Sequence, residues 1–193
     1  MELTEKEKGV LILAARDSIE STFGEEKPPI IDYNYFPSLA QTGPGAFVTL
    51  TIHERLRGCI GYISSDKNIF ETVCDAAVQA AMNDPRFPSL TEEEFVHTNI
   101  EISILSVLEP ISTYEDITVG LHGMVLDYGY NRALLLPQVA TENNYNREQF
   151  LTALCEKAGI YPYTWQEKIL DIKTFTATVF SETGNRKKTY EQN

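Results

Sequence analysis

One short stretch, RLRGCIGYI at residues 55–63, combines a thiol, guanidinium groups and two glycines within the composition of a β-strand. Side chains alternate across a strand, so Arg57 and Cys59 are expected on one face of a sheet and Ile60 on the other. A cation within about 4–6 Å of a thiol favours the thiolate, which is the nucleophilic form. If Arg57 lies this close to Cys59, the cysteine is expected to be activated, and the alternative is a free cysteine that packs as a small apolar side chain.

This stretch is predicted to be the second strand of a hairpin, paired with the preceding AFVTLTI strand through a turn at residues 53–55. A symmetrical pairing places Ile52 opposite Leu56 and Thr49 opposite Cys59. Glycine inside a strand often marks a close approach by a ligand or another backbone, which assigns that role to Gly58 and Gly61. The same pairing predicts one apolar face: Val48, Leu50, Ile52, Leu56, Ile60 and Tyr62. The opposite, polar face is predicted to carry Thr49, Thr51, His53, Arg55, Arg57 and Cys59.

Polar residues outside the hairpin form a second group of candidates. Glu101 interrupts the isoleucines of NIEISIL and is expected either to pair with Arg57 or Arg86 as a structural salt bridge or to act as an acid or base. His122 lies in a turn between two glycines, where it either handles protons or is a hydrogen-bonded turn residue.

The DPR sequence at residues 84–86 forms a rigid turn that offers a carboxylate and a guanidinium. Asp84 and Arg86 can clamp an anion, or they can fix the exit of the preceding helix. The sequence predicts one cleft lined by all of these groups: Arg57, Cys59, Asp84, Arg86, Glu101 and His122.

The composition limits the classes of function. The net charge of −12 should repel phosphate backbones, so general nucleic-acid binding is not expected. The sequence shows no secretion signal, no apolar segment long enough to cross a membrane and no disulfide-like cysteine spacing, which together predict a cytoplasmic protein. No zinc motif, phosphate loop or dinucleotide fingerprint is present, so no metal and no cofactor are predicted.

Periodicity and capping signals predict the elements that position these residues. Thr4 with Glu7 fits a capping box for the first helix, and Thr91 with Glu94 suggests another short capped helix. Helices are expected at 4–20, 67–83 and 147–158, packed against one mainly antiparallel sheet. A hairpin, helices and a closing strand occur in this order twice, and the second closing strand is DIKTFTATVF. The 193 residues are therefore expected to form a single domain, with lobes at about 1–110 and 111–193 that suggest an internal duplication.

Seven ordered motifs across residues 4–182 resemble the AMMECR family: GAFVTL, LRGCIGY, AAMNDPRF, IEISIL, GLHGMVL, LLLPQVA and FLTALCEKAG. The resemblance implies an α+β fold, with a barrel-like, largely antiparallel sheet built from two similar hairpin–helix–strand repeats and helices packed outside. The family has no established biochemical activity. Its prokaryotic members are often encoded with Memo-like and radical S-adenosylmethionine proteins, which implies these as partners.

The resemblance also implies that the LRGCIG segment is the functional site. In this chain the segment comprises Leu56, Arg57, Gly58, Cys59, Ile60 and Gly61. The preceding turn, His53-Glu54-Arg55, departs from the family pattern because many relatives have a glycine there.

Two functions remain open from the sequence. The first is a non-catalytic binding module whose LRGCIG groove receives a small molecule or a segment of a protein partner, with Leu56, Arg57, Gly58, Gly61, Asp84 and Arg86 as ligand-binding residues. The second is a cysteine-dependent enzyme or enzyme subunit, with Cys59 as nucleophile or redox group, Arg57 stabilising the thiolate, and Glu101 or His122 transferring protons.

Overall fold

The computed structural model describes residues 2–24 and 27–182, and the chain divides into two compact units. The first unit contains the described residues up to Leu105 and again residues 178–182, and the second contains Ser106–Ala177. The expected lobe boundary near residue 110 left the end of the chain in the second lobe. In the structure, residues 178–182 belong to the first unit.

The first unit places its helices on the apolar face of a sheet. The first strand of its hairpin, β1, is antiparallel to the second, β2, and also to β3, and a core of fully buried side chains such as Leu50, Val73 and Ile102 lies against this sheet. The elements are α1 (Glu5–Glu20), β1 (Thr42–Ile52), β2 (Arg55–Asn68), α2 (Ile69–Met82), α3 (Glu92–Phe95) and β3 (Thr98–Leu105).

The second unit has its own antiparallel sheet and its own core, which includes Leu126, Phe150 and Leu154. The hairpin strand β5 is antiparallel to both β6 and β7, as β1 is to β2 and β3 in the first unit. The elements are β4 (Glu109–Pro110), β5 (Gly123–Tyr128), β6 (Asn131–Leu135), α4 (Pro137–Glu142), α5 (Arg147–Lys157), α6 (Thr164–Glu167) and β7 (Ile172–Phe175).

The prediction of a single closing strand at residues 171–180 is wrong. The chain leaves β7 after Phe175, and Ala177–Ser181 forms a separate strand, β8, in the sheet of the first unit. Alternation of apolar residues identifies a strand but carries no information about which sheet it joins.

The strands therefore form two sheets rather than the one that was predicted. Their strand orders are β2-β1-β3-β8 and β4-β7-β5-β6. Within residues 2–24 and 27–182 each sheet has two open edges and no closed barrel is present. The antiparallel arrangement is confirmed.

The helix starts show how local sequence sets these elements. The Thr4–Glu7 capping box begins α1, and the Thr91–Glu94 box begins α3, as predicted. Helix α2 begins two residues later than expected, because β2 continues to Asn68, whose side chain caps the helix by accepting a hydrogen bond from Glu71 N at 3.0 Å. In the described part of the chain, no helix is both long and apolar enough to cross a membrane.

Candidate functional site

A β-bulge at Arg57 shapes the beginning of the LRGCIG segment. Thr49 pairs with Cys59 and Leu50 with Gly58, as predicted, but Thr51 pairs with Leu56, so Arg57 is an extra residue without a partner on β1. The expected pairing of Ile52 with Leu56 is therefore wrong. Ile52 pairs with Arg55 across a two-residue turn.

The bulge moves Leu56 away from its predicted face. Because Leu56 pairs with Thr51, it lies on the sheet face opposite the buried Leu50, and it is 43% exposed. The turn before it has positive φ angles at both central residues, 51° at His53 and 64° at Glu54. Such a turn matches the right-handed twist of a hairpin, and here it is closed by two non-glycine residues in the left-handed conformation that glycine favours.

Both glycines of the segment make room for the protein's own atoms. A Cβ atom on Gly58 would collide with the main-chain carbonyl oxygen of Ala80 in α2. A Cβ atom on Gly61 would collide with Ala46 and with the ring of Phe47. These contacts allow the helix and a neighbouring side chain to approach β2 closely, and the assignment of both glycines to ligand binding stays a prediction.

The guanidinium of Arg57 is directed to α3 and its preceding loop. It donates two hydrogen bonds to the Glu94 carboxylate, from Nε to Oε1 at 3.1 Å and from Nη2 to Oε2 at 2.8 Å, and a third to the Ser89 carbonyl at 3.3 Å. It also lies 5.8 Å from the centre of the Phe87 ring. The Arg57 ion pair and the hydrogen bonds from Thr91 lower the pKa of Glu94 to about 2.

The guanidinium that bonds to Cys59 is that of Arg86. Arg86 Nη2 donates to the Cys59 carbonyl at 3.1 Å, and Asp84 Oδ2 accepts from the Cys59 N–H at 2.8 Å. The thiol itself accepts a hydrogen bond from the hydroxyl of Thr49 at 3.3 Å. The pKa of Arg86 is raised above its ordinary value, chiefly by Asp84 and to a smaller extent by Cys59.

Asp84 is almost completely buried, and its charge is satisfied by donors from two residues. Besides the Cys59 N–H, its carboxylate accepts bonds from Arg86 N, Nε and Nη2 at 3.1, 2.9 and 2.7 Å. These bonds, led by those from the Arg86 side chain, hold the pKa of Asp84 far below its usual range. Asp84 and Arg86 together form a clamp on the open edge of β2.

Glu101 shares a sheet face with Cys59 but does not adjoin it. Thr49 on β1 pairs with Cys59 on one side and with Glu101 on the other, so β1 lies between the two. Neighbouring strands are about 4.8 Å apart, which separates the Cys59 and Glu101 backbones by about 10 Å. A proton transfer between these two side chains would need a bridging group.

His122 belongs to the second unit. The imidazole Nδ1 of His122 accepts a hydrogen bond from the main-chain N–H of Thr118 at 3.1 Å. The main-chain N–H of His122 donates to the Thr118 carbonyl at 2.9 Å. These bonds fit the structural alternative considered for this residue, a hydrogen-bonded turn. Its part in a shared cleft stays a prediction.

A surface groove of about 540 Å³ lies beside the bulge, and we call it the bulge groove. Arg55 and His53 are exposed in it, and Leu56 adds an apolar surface. The His53 ring stacks on the His97 ring, with 6.4 Å between their centres. Within residues 2–24 and 27–182, the guanidinium of Arg55 has no ion-pair partner. The groove is lined by Ile52, His53, Arg55, Leu56, Arg57 and Glu94.

Sequence reasoning missed the residues that complete this region. Glu94 was assigned only to the capping box of α3, although the same carboxylate binds Arg57. Arg55 was placed on the polar face but was not treated as a site residue. Arg55 is the first residue of β2, directly after the two-residue turn, and this position brings it beside the bulge.

Comparison with known proteins identifies the family. A family model described as AMMECR1 matches residues 12–180. Protein Mbar_A1807 of Methanosarcina barkeri is 38% identical over 188 residues, which cover 93% of this chain and 92% of that protein. Protein MJ0810 of Methanocaldococcus jannaschii is 35% identical and covers 98% of this chain and 97% of its own. The crystal structure of the uncharacterized protein PH0010 from Pyrococcus horikoshii matches with a TM-score of 0.80 and 33% identity, covering 90% of each chain. The chain therefore belongs to the AMMECR1 family, as its motifs predicted.

Proposed function

We propose that this protein is a cytoplasmic binding module whose bulge groove receives an anionic group, a carboxylate or phosphate, of a small ligand or protein segment. The observation that carries the proposal is the groove itself, which places two arginines and an exposed leucine of the RLRGCIG stretch around one cavity. Its volume of about 540 Å³ falls within the range of about 300–1,000 Å³ that is typical of ligand sites.

The charges in the groove favour an anion. Glu94 is the one carboxylate of the lining, and Arg57 neutralises it through the two-bond ion pair. Arg55 is then the cation left to recognise a ligand, with the imidazole of His53 next to it. The chain has a net charge of −12, so a locally positive groove attracts anions more strongly than the surrounding acidic surface does.

The apolar side of the groove gives the ligand a second requirement. Leu56 and Ile52 both line the cavity, and the bulge is what turns Leu56 outward. Binding sites combine apolar walls with a few placed polar groups that fix orientation. We infer a ligand with an anionic end and an apolar end.

Inorganic phosphate and butyrate are suitable probes. Each is titrated into the nitrogen-15-labelled protein, and its binding is measured from the changes in amide chemical shifts. Butyrate is expected to move the signals of residues 53–57 more than phosphate does. Arg55→Ala should weaken this binding at least fivefold, and Arg55→Lys should retain most of it. Arg132→Ala, which removes an exposed arginine of the second unit, is the control. Equal loss in both alanine variants, or shifts confined to other residues, would reject the groove as the site.

The partners implied by the family, Memo-like and radical S-adenosylmethionine proteins, are proposed to use this same groove. Purified proteins of these two classes can be tested for co-elution with the wild-type chain and with Arg55→Glu. Binding that is unaffected by the charge reversal would place the partner surface elsewhere.

A cysteine-dependent activity is the second candidate, supported by the contact between Arg86 and Cys59. A nucleophilic cysteine needs a base within hydrogen-bond reach, whereas the side chain that bonds to the thiol is the hydroxyl of Thr49. Alkylation with iodoacetamide distinguishes the two functions. Burial raises the pKa of both Cys74 and Cys155, so these two thiols should react slowly and the rate at Cys59 can be measured separately. Modification of Cys59 at least tenfold faster than of a free-cysteine peptide would favour the enzyme, and slower modification would favour the binding module.

A further inference from the structure

We propose that the second unit carries a separate site for an aliphatic polyamine, in a cavity between α5 and α6. The cavity has a volume of about 320 Å³ and is lined by aromatic rings and by acidic side chains. All of its lining residues lie within the second unit, so the site does not depend on the bulge groove. We call it the α5–α6 cavity and argue it from Tyr145, Tyr163, Trp165, Glu148, Glu156 and Thr152.

The aromatic wall of the α5–α6 cavity is held in place by its neighbours. The Trp165 Nε1–H donates a hydrogen bond to the Thr152 hydroxyl at 3.0 Å, which ties α6 to α5. Tyr114 contacts the same indole edge-on, with ring centres 5.9 Å apart and planes at 84°. The Tyr163 ring meets Tyr161 in a similar edge arrangement. Fixed aromatic faces are negative on their surface and attract organic ammonium groups.

The second feature of the cavity is a pair of carboxylates on one side of α5. Glu148, Thr152 and Glu156 follow one another at intervals of four residues, so they lie along the same helix face. Eight residues of helix separate the Cα atoms of the two glutamates by about 12 Å. Both glutamates are exposed, and within residues 2–24 and 27–182 neither carboxylate has an ion-pair partner.

These two features together specify the charge and shape of the ligand. Two separated carboxylates match two positive charges. The aromatic lining, which Trp165 anchors at Thr152 midway between them along α5, matches an apolar chain. A metal ion or a compact monoamine would satisfy one carboxylate and leave the rings unused. A linear polyamine presents ammonium groups joined by methylene segments, and each ammonium can also lie over an aromatic face.

The experiment uses Trp165, the only tryptophan of the chain, as a reporter inside the cavity. Spermidine is titrated into the full-length protein while tryptophan fluorescence and heat of binding are recorded. Saturable binding is expected, and Glu148→Gln and Glu156→Gln should each weaken it at least fivefold. Glu142→Gln, an exposed glutamate at the end of α4, should leave it unchanged. The Trp165→Phe variant, followed by calorimetry, should bind spermidine less tightly.

Several outcomes would overturn the assignment. Equal responses to spermidine and to magnesium chloride at matched ionic strength would show general screening of an acidic protein. If Glu142→Gln weakened spermidine binding as much as Glu148→Gln and Glu156→Gln do, this would also indicate general screening. A trilysine peptide that binds more tightly than spermidine would assign the α5–α6 cavity to a protein partner instead of a free amine.

Discussion

Arg57 and Glu94 join the bulge of β2 to the first turn of α3 through two hydrogen bonds of 3.1 and 2.8 Å. The same carboxylate accepts the Thr91 N–H at 3.1 Å, so one acidic side chain both caps a helix and holds the arginine of the LRGCIG segment. The wall of the bulge groove therefore depends on a contact between residues 37 positions apart.

Glu94 should make stability depend on acid pH. Its pKa is about 2 in the folded protein against an ordinary value of 4.5, chiefly because of Arg57. A carboxyl group with a lowered folded pKa contributes stability that is complete above pH 4.5 and disappears as the pH falls toward 2. Urea unfolding midpoints of the wild type and Glu94→Gln should therefore converge between pH 5 and about 2.5. Glu93→Gln, the exposed neighbour, is the control, and a wild-type advantage that does not shrink would contradict the charge mechanism.

Asp84→Asn should destabilise the first unit. The substitution removes a buried negative charge that accepts four hydrogen bonds. A single hydrogen bond to a charged group contributes about 1.5–3 kcal/mol to the free energy of unfolding. Because Arg86 is half-exposed and regains water, we expect a net loss of about 1–3 kcal/mol in the free energy of unfolding at pH 7. Urea unfolding measures it. Asp66→Asn, at an exposed position, should change stability by less than about 0.5 kcal/mol. Equal losses in the two variants would refute the role of the clamp.

Gly58→Ala should destabilise the protein for a steric reason alone. The added methyl group would meet the Ala80 carbonyl, so α2 must move away from the sheet, and such overpacking costs about 1–3 kcal/mol. The matched control is Gly9→Ala in α1, where the space around the glycine is open and the change should stabilise the helix by about 0.5–1 kcal/mol. Chemical denaturation gives both values. A neutral Gly58→Ala would contradict the steric role of this glycine.

Glu54→Gly should stabilise the hairpin. Glu54 has a φ of 64°, a conformation that glycine adopts without strain. Part of the gain is lost because glycine also increases the conformational entropy of the unfolded chain. We therefore expect the free energy of unfolding to rise by about 0.5–1 kcal/mol and Tm to rise by about 1–4 °C. Differential scanning calorimetry measures the change. Glu54→Ala keeps the strain and should lie within about 0.5 kcal/mol of the wild type. A lower Tm for the glycine variant would show that the side chain itself supports the turn.

The local signals in the sequence were sufficient for the capping boxes of α1 and α3 and for most of the hairpin, whereas the start of α2 was predicted two residues too early. The capping boxes at Thr4 and Thr91 and the opposition of Thr49 to Cys59 depend on neighbouring residues, and all three are present. The bulge at Arg57 was missed because a one-residue insertion leaves no mark on alternation until both strands are paired. Its consequence was a wrong face for Leu56.

The partners of the site residues could not be predicted for a different reason. Arg57 meets Glu94, and Cys59 meets Asp84, only after α3 and the 84–89 loop fold back against the edge of β2. Sequence spacing gives no distance between such elements. Glu101, which did satisfy the alternation pattern, proved to lie beyond an intervening strand from Cys59.

The clamp formed by Asp84 and Arg86 also affects how molecules of this protein meet one another. β2 is the outermost strand of its sheet, and strands in that position offer free N–H and carbonyl groups on which another chain can add. At Cys59 both groups already have partners. The N–H donates to the Asp84 carboxylate, and the carbonyl accepts from the Arg86 guanidinium, as they would with a neighbouring strand. At this residue the edge of β2 is thus closed to pairing with another strand. Another strand can therefore pair with β2 at Cys59 only after Asp84 and Arg86 release these two groups.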